Sequence, residues 1–143
     1  MTQGKDAATP SETRFPGQHA LEQQILRAGE GGLELVGSRC PQCEAAYYPP
    51  RRLCAKDLTE CESIALSTRG TLYEATQIRI APVGFEAPFW LGYVDLPENV
   101  RVFVQIRWNG DGEPRHGAAV DLLLETVRTG PPDVVGPIFT GPV

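Results

Sequence analysis

The chain has 143 residues, 41% of them hydrophobic, and a formal net charge of −5 from 18 acidic and 13 basic side chains. This is enough apolar material for one ordinary domain, or for a small module on a compact one, and it argues against wholesale disorder. The acidic balance is a poor match for a protein that reads phosphates, and there is no run of about 18 apolar residues to cross a membrane.

Eleven of the basic residues are Arg, and only Lys5 and Lys56 are Lys, which leaves room for a local bidentate grip on phosphate or carboxylate. "MTQGKDAATPSETRFPG" has no apolar stretch of the secretory type, so a cytoplasmic address is expected. Thiols stay reduced there, and four cysteines then point to metal or redox chemistry more than to disulfides.

Residues 1–17 are polar, carry Pro10 and Pro16, and read as a flexible arm. In the segment 18–36, Leu21, Ile25 and Ala28 fall at i, i+4 and i+7 before a cluster of glycines. That spacing predicts a short amphipathic helix over 18–28, followed by a linker and docked on its own domain or on a partner. Residues 37–66 hold all four cysteines and few aliphatic side chains, so this segment needs another source of stability.

From residue 67 to 143 the pattern is that of strands. "GTLYEATQIRI", "FWLGYVDL", "RVFVQIRW" and "AAVDLLLETV" are β-rich runs separated by Pro- and Gly-containing connections. Val102, Val104 and Ile106 alternate with Phe103, Gln105 and Arg107 on the opposite face. With no helix pattern between them, four or five strands predict a small antiparallel barrel or sandwich. "GPPDVVGPIFTGPV" is expected to be an extended tail, with Val134, Val135, Ile138 and Phe139 lying along the barrel surface or a neighbouring chain.

The cysteines are spaced C-x2-C-x10-C-x6-C, at Cys40, Cys43, Cys54 and Cys61. Four thiolates suit a tetrahedral structural Zn²⁺, one per chain, because a CxxC turn aims two sulfurs at one ion while the intervening hairpin returns the second pair. A regular second CxxC would need a sulfur at position 57, where the sequence has Asp57. The expected ligands are Cys40, Cys43, Cys54 and Cys61, with Asp57 in place of Cys61 as the alternative. A redox CxxC is the weaker reading, since the pair lacks the strand-then-helix context of such motifs. His19 and His116 are not spaced as ligands to these cysteines.

No GxSxG, Walker-type loop or GxGxxG is present, and the carboxylate pairs Asp95/Glu98 and Asp111/Glu113 fall in polar turns. The chain therefore reads as a module that binds or scaffolds. Between residues 39 and 56 the net charge is about +3 in an otherwise acidic chain, from Arg39, Arg51, Arg52 and Lys56 against Glu44. That patch suits a phosphate group or an acidic partner face, or simply braces the segment. Tyr47 and Tyr48 suit a ligand wall or the packing of this segment on the strands, and Phe85, Phe89 and Trp90 in "GFEAPFW" suit an interface.

In order, "GSRCPQCEAAYYPPRRLC", "RGTLYEATQIRIAPVGFEAPFWLGYVDL", "RVFVQIRW", "RHGAAVDLLLE" and "PIF" resemble a bacterial and archaeal family of small acyl-CoA-associated proteins. These proteins join a rubredoxin-like zinc ribbon to an OB-fold. The resemblance implies a mainly β fold: an N-terminal helix, a small zinc ribbon over 37–66, and a five-stranded OB-fold antiparallel barrel over 67–143. Carried over position by position, its ribbon ligands fall on Cys40, Cys43 and Cys54, and its fourth cysteine falls on Asp57.

The implied function is that of a non-catalytic accessory subunit of a thiolase-type acyl-CoA enzyme in a cytoplasmic hetero-oligomer. Such a subunit stabilises the complex and helps to bind the CoA thioester; contacts to CoA or to the partner are expected at Arg51, Arg52, Tyr47, Tyr48, Phe89 and Trp90, the arginines toward a CoA phosphate and the tyrosines toward a pantetheine tunnel. Two alternatives are a partner for a hot-dog-fold enoyl-CoA hydratase, and an OB/zinc-ribbon module for single-stranded nucleic acid. The latter fits poorly with six Arg against nine acidic residues from position 67 onward.

Overall fold

The computed structural model describes residues 18–20 and 25–143, with side chains for all of these except 18–20 and 33. Ten strands and no α-helix occur among the described residues: β1 (Gln18–Ala20), β2 (Leu26–Gly29), β3 (Gly32–Arg39), β4 (Ala46–Tyr47), β5 (Glu62–Ala65), β6 (Arg69–Ile78), β7 (Phe89–Leu96), β8 (Val100–Trp108), β9 (Ala119–Arg128) and β10 (Asp133–Gly141).

The expected helix over 18–28 is replaced by strand at 18–20 and 26–28, with Ile25 as a helical-turn residue just before β2. β1 lies parallel to β10, and β2 forms a hairpin with β3 in the register Leu26↔Leu35 and Gly29↔Gly32. The glycines that resemble a helix stop belong to this hairpin's end: Glu30 and Gly31 make the two-residue turn, and Gly29 pairs with Gly32, which has φ +121°, a conformation that side-chain-bearing residues rarely adopt. Ile25 and Leu26 are buried while Arg27 and Ala28 are exposed, so burial does not follow the helical repeat. Residues 21–24 of the expected helix, and the arm 1–17, lie outside the described residues.

The barrel is a ring of five strands in the order β6-β7-β8-β10-β9, with β9 returning to β6. Every neighbouring pair is antiparallel except β8 and β10, which run parallel. A closed ring with an odd number of strands cannot alternate direction throughout, so the antiparallel barrel expected from the sequence must contain one parallel pair. Leu72, Val94, Val102, Val120 and Phe139 are fully buried at its centre. The alternation read from β8 holds, with Val102, Val104 and Ile106 inside and Phe103 outside. Gly92 of β7 faces the irregularity in β6 between Leu72 and Glu74, where a Cβ would come within 2.4 Å of the Glu74 carbonyl oxygen.

The Pro-rich tail is a correction. It forms β10, the strand that closes the barrel, and it buries Val134, Val135, Ile138 and Phe139 instead of laying them on the surface. One flank of β10 pairs with β1 through residues 133–135 and then with β8 through residues 138–141. Gly136 and Pro137 fall in the gap between these partners, where no ladder bond is required on that side.

The ribbon segment is anchored to the barrel along β3. The first half of β3 pairs with β2 and the second half with β4 and β5. The amide of Leu66 donates to the carbonyl of Leu35 at 2.8 Å. Ile25, Leu26, Leu35 and Leu66 belong to the same buried cluster as Leu72, Val94 and Phe139, so ribbon and barrel share one core.

Candidate metal centre and apolar groove

Two turns of the same construction face each other at the tip of the ribbon. In the first, Cys40-Pro41-Gln42-Cys43, the Cys40 amide donates to Ala45 O at 2.9 Å, the Glu44 amide donates to Cys40 O at 2.8 Å, and Glu44 sits at φ +66°. In the second, Cys54-Ala55-Lys56-Asp57, the Cys54 amide donates to Thr59 O at 2.8 Å, the Leu58 amide donates to Cys54 O at 2.9 Å, and Leu58 sits at φ +62°. A leucine in the left-handed region is costly and persists where surrounding bonds impose it. The two hydrogen bonds that flank Leu58 are that constraint.

This repetition places Asp57 where the first turn has Cys43. Single donor atoms from Cys40, Cys43, Cys54 and Asp57 all lie within 4.8 Å of one another. Cys43 Sγ is 3.6 Å from Cys54 Sγ, and Cys40 Sγ is 3.6 and 3.7 Å from the two Asp57 carboxylate oxygens. A tetrahedral ion with metal–sulfur bonds of about 2.3 Å separates its sulfurs by about 3.8 Å. The donor spacing and chemistry therefore fit a tetrahedral metal ion. Cys40 and Cys54 are fully buried, whereas Cys43 and Asp57 face solvent.

Neighbouring groups favour the ligand form of Cys54. The Tyr47 hydroxyl lies 3.3 Å from its sulfur and the Lys56 amide donates to it, also at 3.3 Å. These donors, Tyr47 foremost, lower the Cys54 thiol below its ordinary range, toward the thiolate that a metal takes. The Tyr47 oxygen in turn accepts from the Ala55 amide at 3.1 Å, which directs its proton to the sulfur. Asp57 Oδ1 accepts from the Thr59 amide at 3.0 Å, and this bond holds its carboxyl below the usual carboxylate range. Tyr47→Phe is accordingly expected to weaken metal affinity by about 10- to 100-fold while leaving the fold intact, measured by chelator competition.

Cys61, taken as the fourth ligand in the sequence reading, is not in this group of four. Its amide donates to Arg52 O at 2.8 Å, and its sulfur is 3.9 Å from Thr59 O. Burial, and then the negative charge of Cys40, Cys54 and Asp57, push its thiol up.

A second feature is a groove of about 700 Å³ between the ribbon and the outer face of β7 and β8. Tyr48 and Pro49 of the ribbon form one wall, Leu91, Tyr93 and Phe103 the floor, and Phe85 and Phe89 of the β6–β7 connection the far side. The Tyr93 and Phe103 rings are 5.1 Å apart, and Phe103 is 55% exposed. Arg101, the one charged residue lining the groove, donates to both Asp95 carboxylate oxygens at 2.7 and 3.1 Å and lies 3.7 Å from the centre of the Tyr73 ring. Nearby, Ile80 and Val83 are almost fully exposed.

The residues expected to contact CoA or a partner divide between these features. Tyr48 and Phe89 line the groove. Trp90 packs against the barrel core and Tyr47 serves the metal cluster. The Arg51 guanidinium lies over the Tyr47 ring at 5.3 Å, and Arg52 is 3.6 Å from Glu60, both of them exposed. Sequence reasoning missed Tyr93, Arg101 and Ile25. The available signal was an aromatic residue at the outward position of a strand, noted for Phe103 but not carried across to Tyr93, its partner in register. His116 lies apart from this group, with its Nδ1 2.7 Å from Tyr73 O.

Comparison with known proteins locates the chain. The family model described as "ChsH2, rubredoxin-like zinc ribbon domain" matches residues 33–63, and "ChsH2, C-terminal OB-fold domain" matches residues 63–125. The chain is 37% identical over 95 residues to the benzoylsuccinyl-CoA thiolase subunit BbsA of Thauera aromatica, covering 66% of this chain and 65% of that one. It is 36% identical over 100 residues to the BbsA of Geobacter metallireducens, covering 69% and 68%. It is 38% identical over 76 residues to a DUF35 domain-containing scaffold protein of Methanocaldococcus jannaschii, covering 50% and 54%. The match thus spans between half and about two thirds of these relatives. A solved structure titled "Ltp2-ChsH2(DUF35) aldolase" shares the fold, with a TM-score of 0.65 at 22% identity over 77% of this chain and 86% of that one.

Proposed function

We propose that this chain, which belongs to the family joining a ChsH2-type rubredoxin-like zinc ribbon to an OB-fold domain, works as a non-catalytic accessory subunit of a thiolase-type acyl-CoA enzyme. The observation that carries the reading is the aromatic groove beside the ribbon. Among the described residues its lining is mainly aromatic and aliphatic, with Arg101 as the charged member. Its exposed Phe103 and Tyr93, with Ile80 and Val83 exposed on the adjoining β6–β7 connection, form apolar surface of the kind that an assembly covers. In this reading the catalytic groups belong to the partner, and the groove closes against it near the acyl-CoA thioester, with Tyr48 and Phe89 on that side. The names of the BbsA relatives as thiolase subunits support the choice of partner.

The ion proposed for the ribbon is Zn²⁺, one per chain, with Cys40, Cys43 and Cys54 among its ligands. Bound there, it supplies structural order to a segment poor in core residues. The expected setting is cytoplasmic; among the described residues no helix is long and apolar enough to cross a membrane.

Affinity purification of the full chain from its native cells, followed by native mass spectrometry, tests the assembly. A hetero-oligomer with a thiolase-like chain is expected. Recovery instead with a hot-dog-fold hydratase, or micromolar salt-dependent binding to oligonucleotides, would overturn the reading. Replacing both Tyr93 and Phe103 by Asp is expected to weaken assembly by about 30-fold or more, the scale of a lost aromatic hot spot. Stability should change by only about 0.5 kcal/mol per site, because both rings are largely outside the core.

A further inference from the structure

We propose that Asp57 is the fourth metal ligand, so that the ribbon holds its ion with three thiolates and one carboxylate while Cys61 stays outside the coordination sphere. The inference rests on the reading that the ribbon binds a divalent ion, and it departs from the four-cysteine set that the spacing of the cysteines alone would suggest.

The argument is geometric. The two turns share the same three features: an amide at the first position bonded to a carbonyl five residues on, a return bond from the fifth residue, and a left-handed fifth residue. In the first turn the fourth position is Cys43, and in the second it is Asp57. A backbone that repeats this closely delivers whatever side chain stands at the fourth position to the same point in space. The distances agree, since the Asp57 oxygens stand 3.6 and 3.7 Å from Cys40 Sγ, as Cys54 Sγ stands 3.6 Å from Cys43 Sγ. The Thr59 amide bond to Oδ1 orients the carboxylate, in the manner of the outer groups that fix ligands at metal sites. Cys61 instead follows the Leu53↔Glu60 bridge on the returning chain, with its amide bonded to Arg52 O.

The donor set has a chemical consequence. An oxygen in place of sulfur makes the site harder and so less selective for soft ions such as Cd²⁺ over Zn²⁺. Asp57 and Cys43 are exposed while Cys40 and Cys54 are buried, so the carboxylate and one thiolate form the solvent side of the cluster.

The test compares the full chain with Asp57→Cys and Cys61→Ser. With Co²⁺ as probe, the sulfur-to-metal charge-transfer intensity of the wild type is expected at about three-quarters of that of Asp57→Cys, three thiolates against four. Cys61→Ser should match the wild type. Asp57→Cys should raise the preference for Cd²⁺ over Zn²⁺ by about tenfold or more. X-ray absorption of the wild-type zinc protein needs no variant, and three sulfur scatterers with one oxygen are expected. Four sulfurs, or a loss of about one quarter of the Co²⁺ intensity in Cys61→Ser, would overturn the assignment and leave the metal reading standing. Absence of any bound ion in the wild type would overturn both.

Discussion

Cys54→Ala is expected to abolish stoichiometric metal binding and to unfold the ribbon while the barrel remains closed. Cys54 is fully buried, its sulfur is bonded by Tyr47 and Lys56, and its backbone closes the second turn of the metal cluster. Structural zinc contributes about 10–16 kcal/mol in small zinc modules, and few apolar side chains between positions 37 and 66 could replace that contribution. Metal content should fall from about one ion per chain to less than about one tenth. Amide exchange should lose its protection around Cys40–Ala45 and Cys54–Thr59 first. The strands β6 to β10 should stay protected, because Leu72, Val94, Val102 and Val120 are buried within the barrel itself. Removal of metal by a chelator from the wild type should reproduce the pattern. Full metal retention by Cys54→Ala, or simultaneous loss of both halves at low chelator, would contradict this account.

The second large effect is expected at Phe139. This residue has 0% exposure and lies on β10 opposite Ile106 of β8 and Leu122 of β9. It therefore sits at the point where the one parallel pair and its antiparallel neighbour close the ring. Phe139→Ala should cost about 3–5 kcal/mol, the transfer term plus the cavity left behind. Against a typical total of about 5–15 kcal/mol, that is enough to populate unfolded chain at moderate temperature. Urea unfolding should show a lower midpoint with an unchanged slope. A loss below about 1 kcal/mol would mean that β10 does not fill the barrel.

How far these features could be read from residues depended on whether a local pattern had one structural meaning. β8 was legible because Val102, Val104 and Ile106 alternate over a run too regular for another interpretation. The N-terminal segment was not, since Leu21, Ile25 and Ala28 satisfy a helical spacing while the glycines after them serve a hairpin turn equally well. Tertiary pairing with Leu35 decided between the two. The tail was misplaced because proline is normally excluded from central strands, and its tolerance at Pro137 depends on a change of partner from β1 to β8 that only the assembled ring defines.

At the metal cluster, the CPQC turn was visible as two thiols at the right spacing. The CAKD turn was visible as a carboxylate standing where a regular second CxxC has its thiol, but the choice between Asp57 and Cys61 was not legible, because a repeated backbone conformation ending in Leu58 at positive φ leaves no trace in residue type. The groove was half legible. Phe103 was placed outward correctly, but its meeting with Tyr48 depends on how the ribbon packs beside the curved sheet.

The continuity of β3 has a mechanical meaning. Leu35 lies in the barrel core, and the same strand runs on through Arg39 directly into Cys40. Five residues of extended chain thus join the metal cluster to the barrel interior, with Leu66 tying Leu35 from the other side. The two regions are joined by hydrogen-bonded strand rather than by a loop. Spectroscopic probes placed at Leu35 or Leu66 should therefore report on whether the distant ion is loaded.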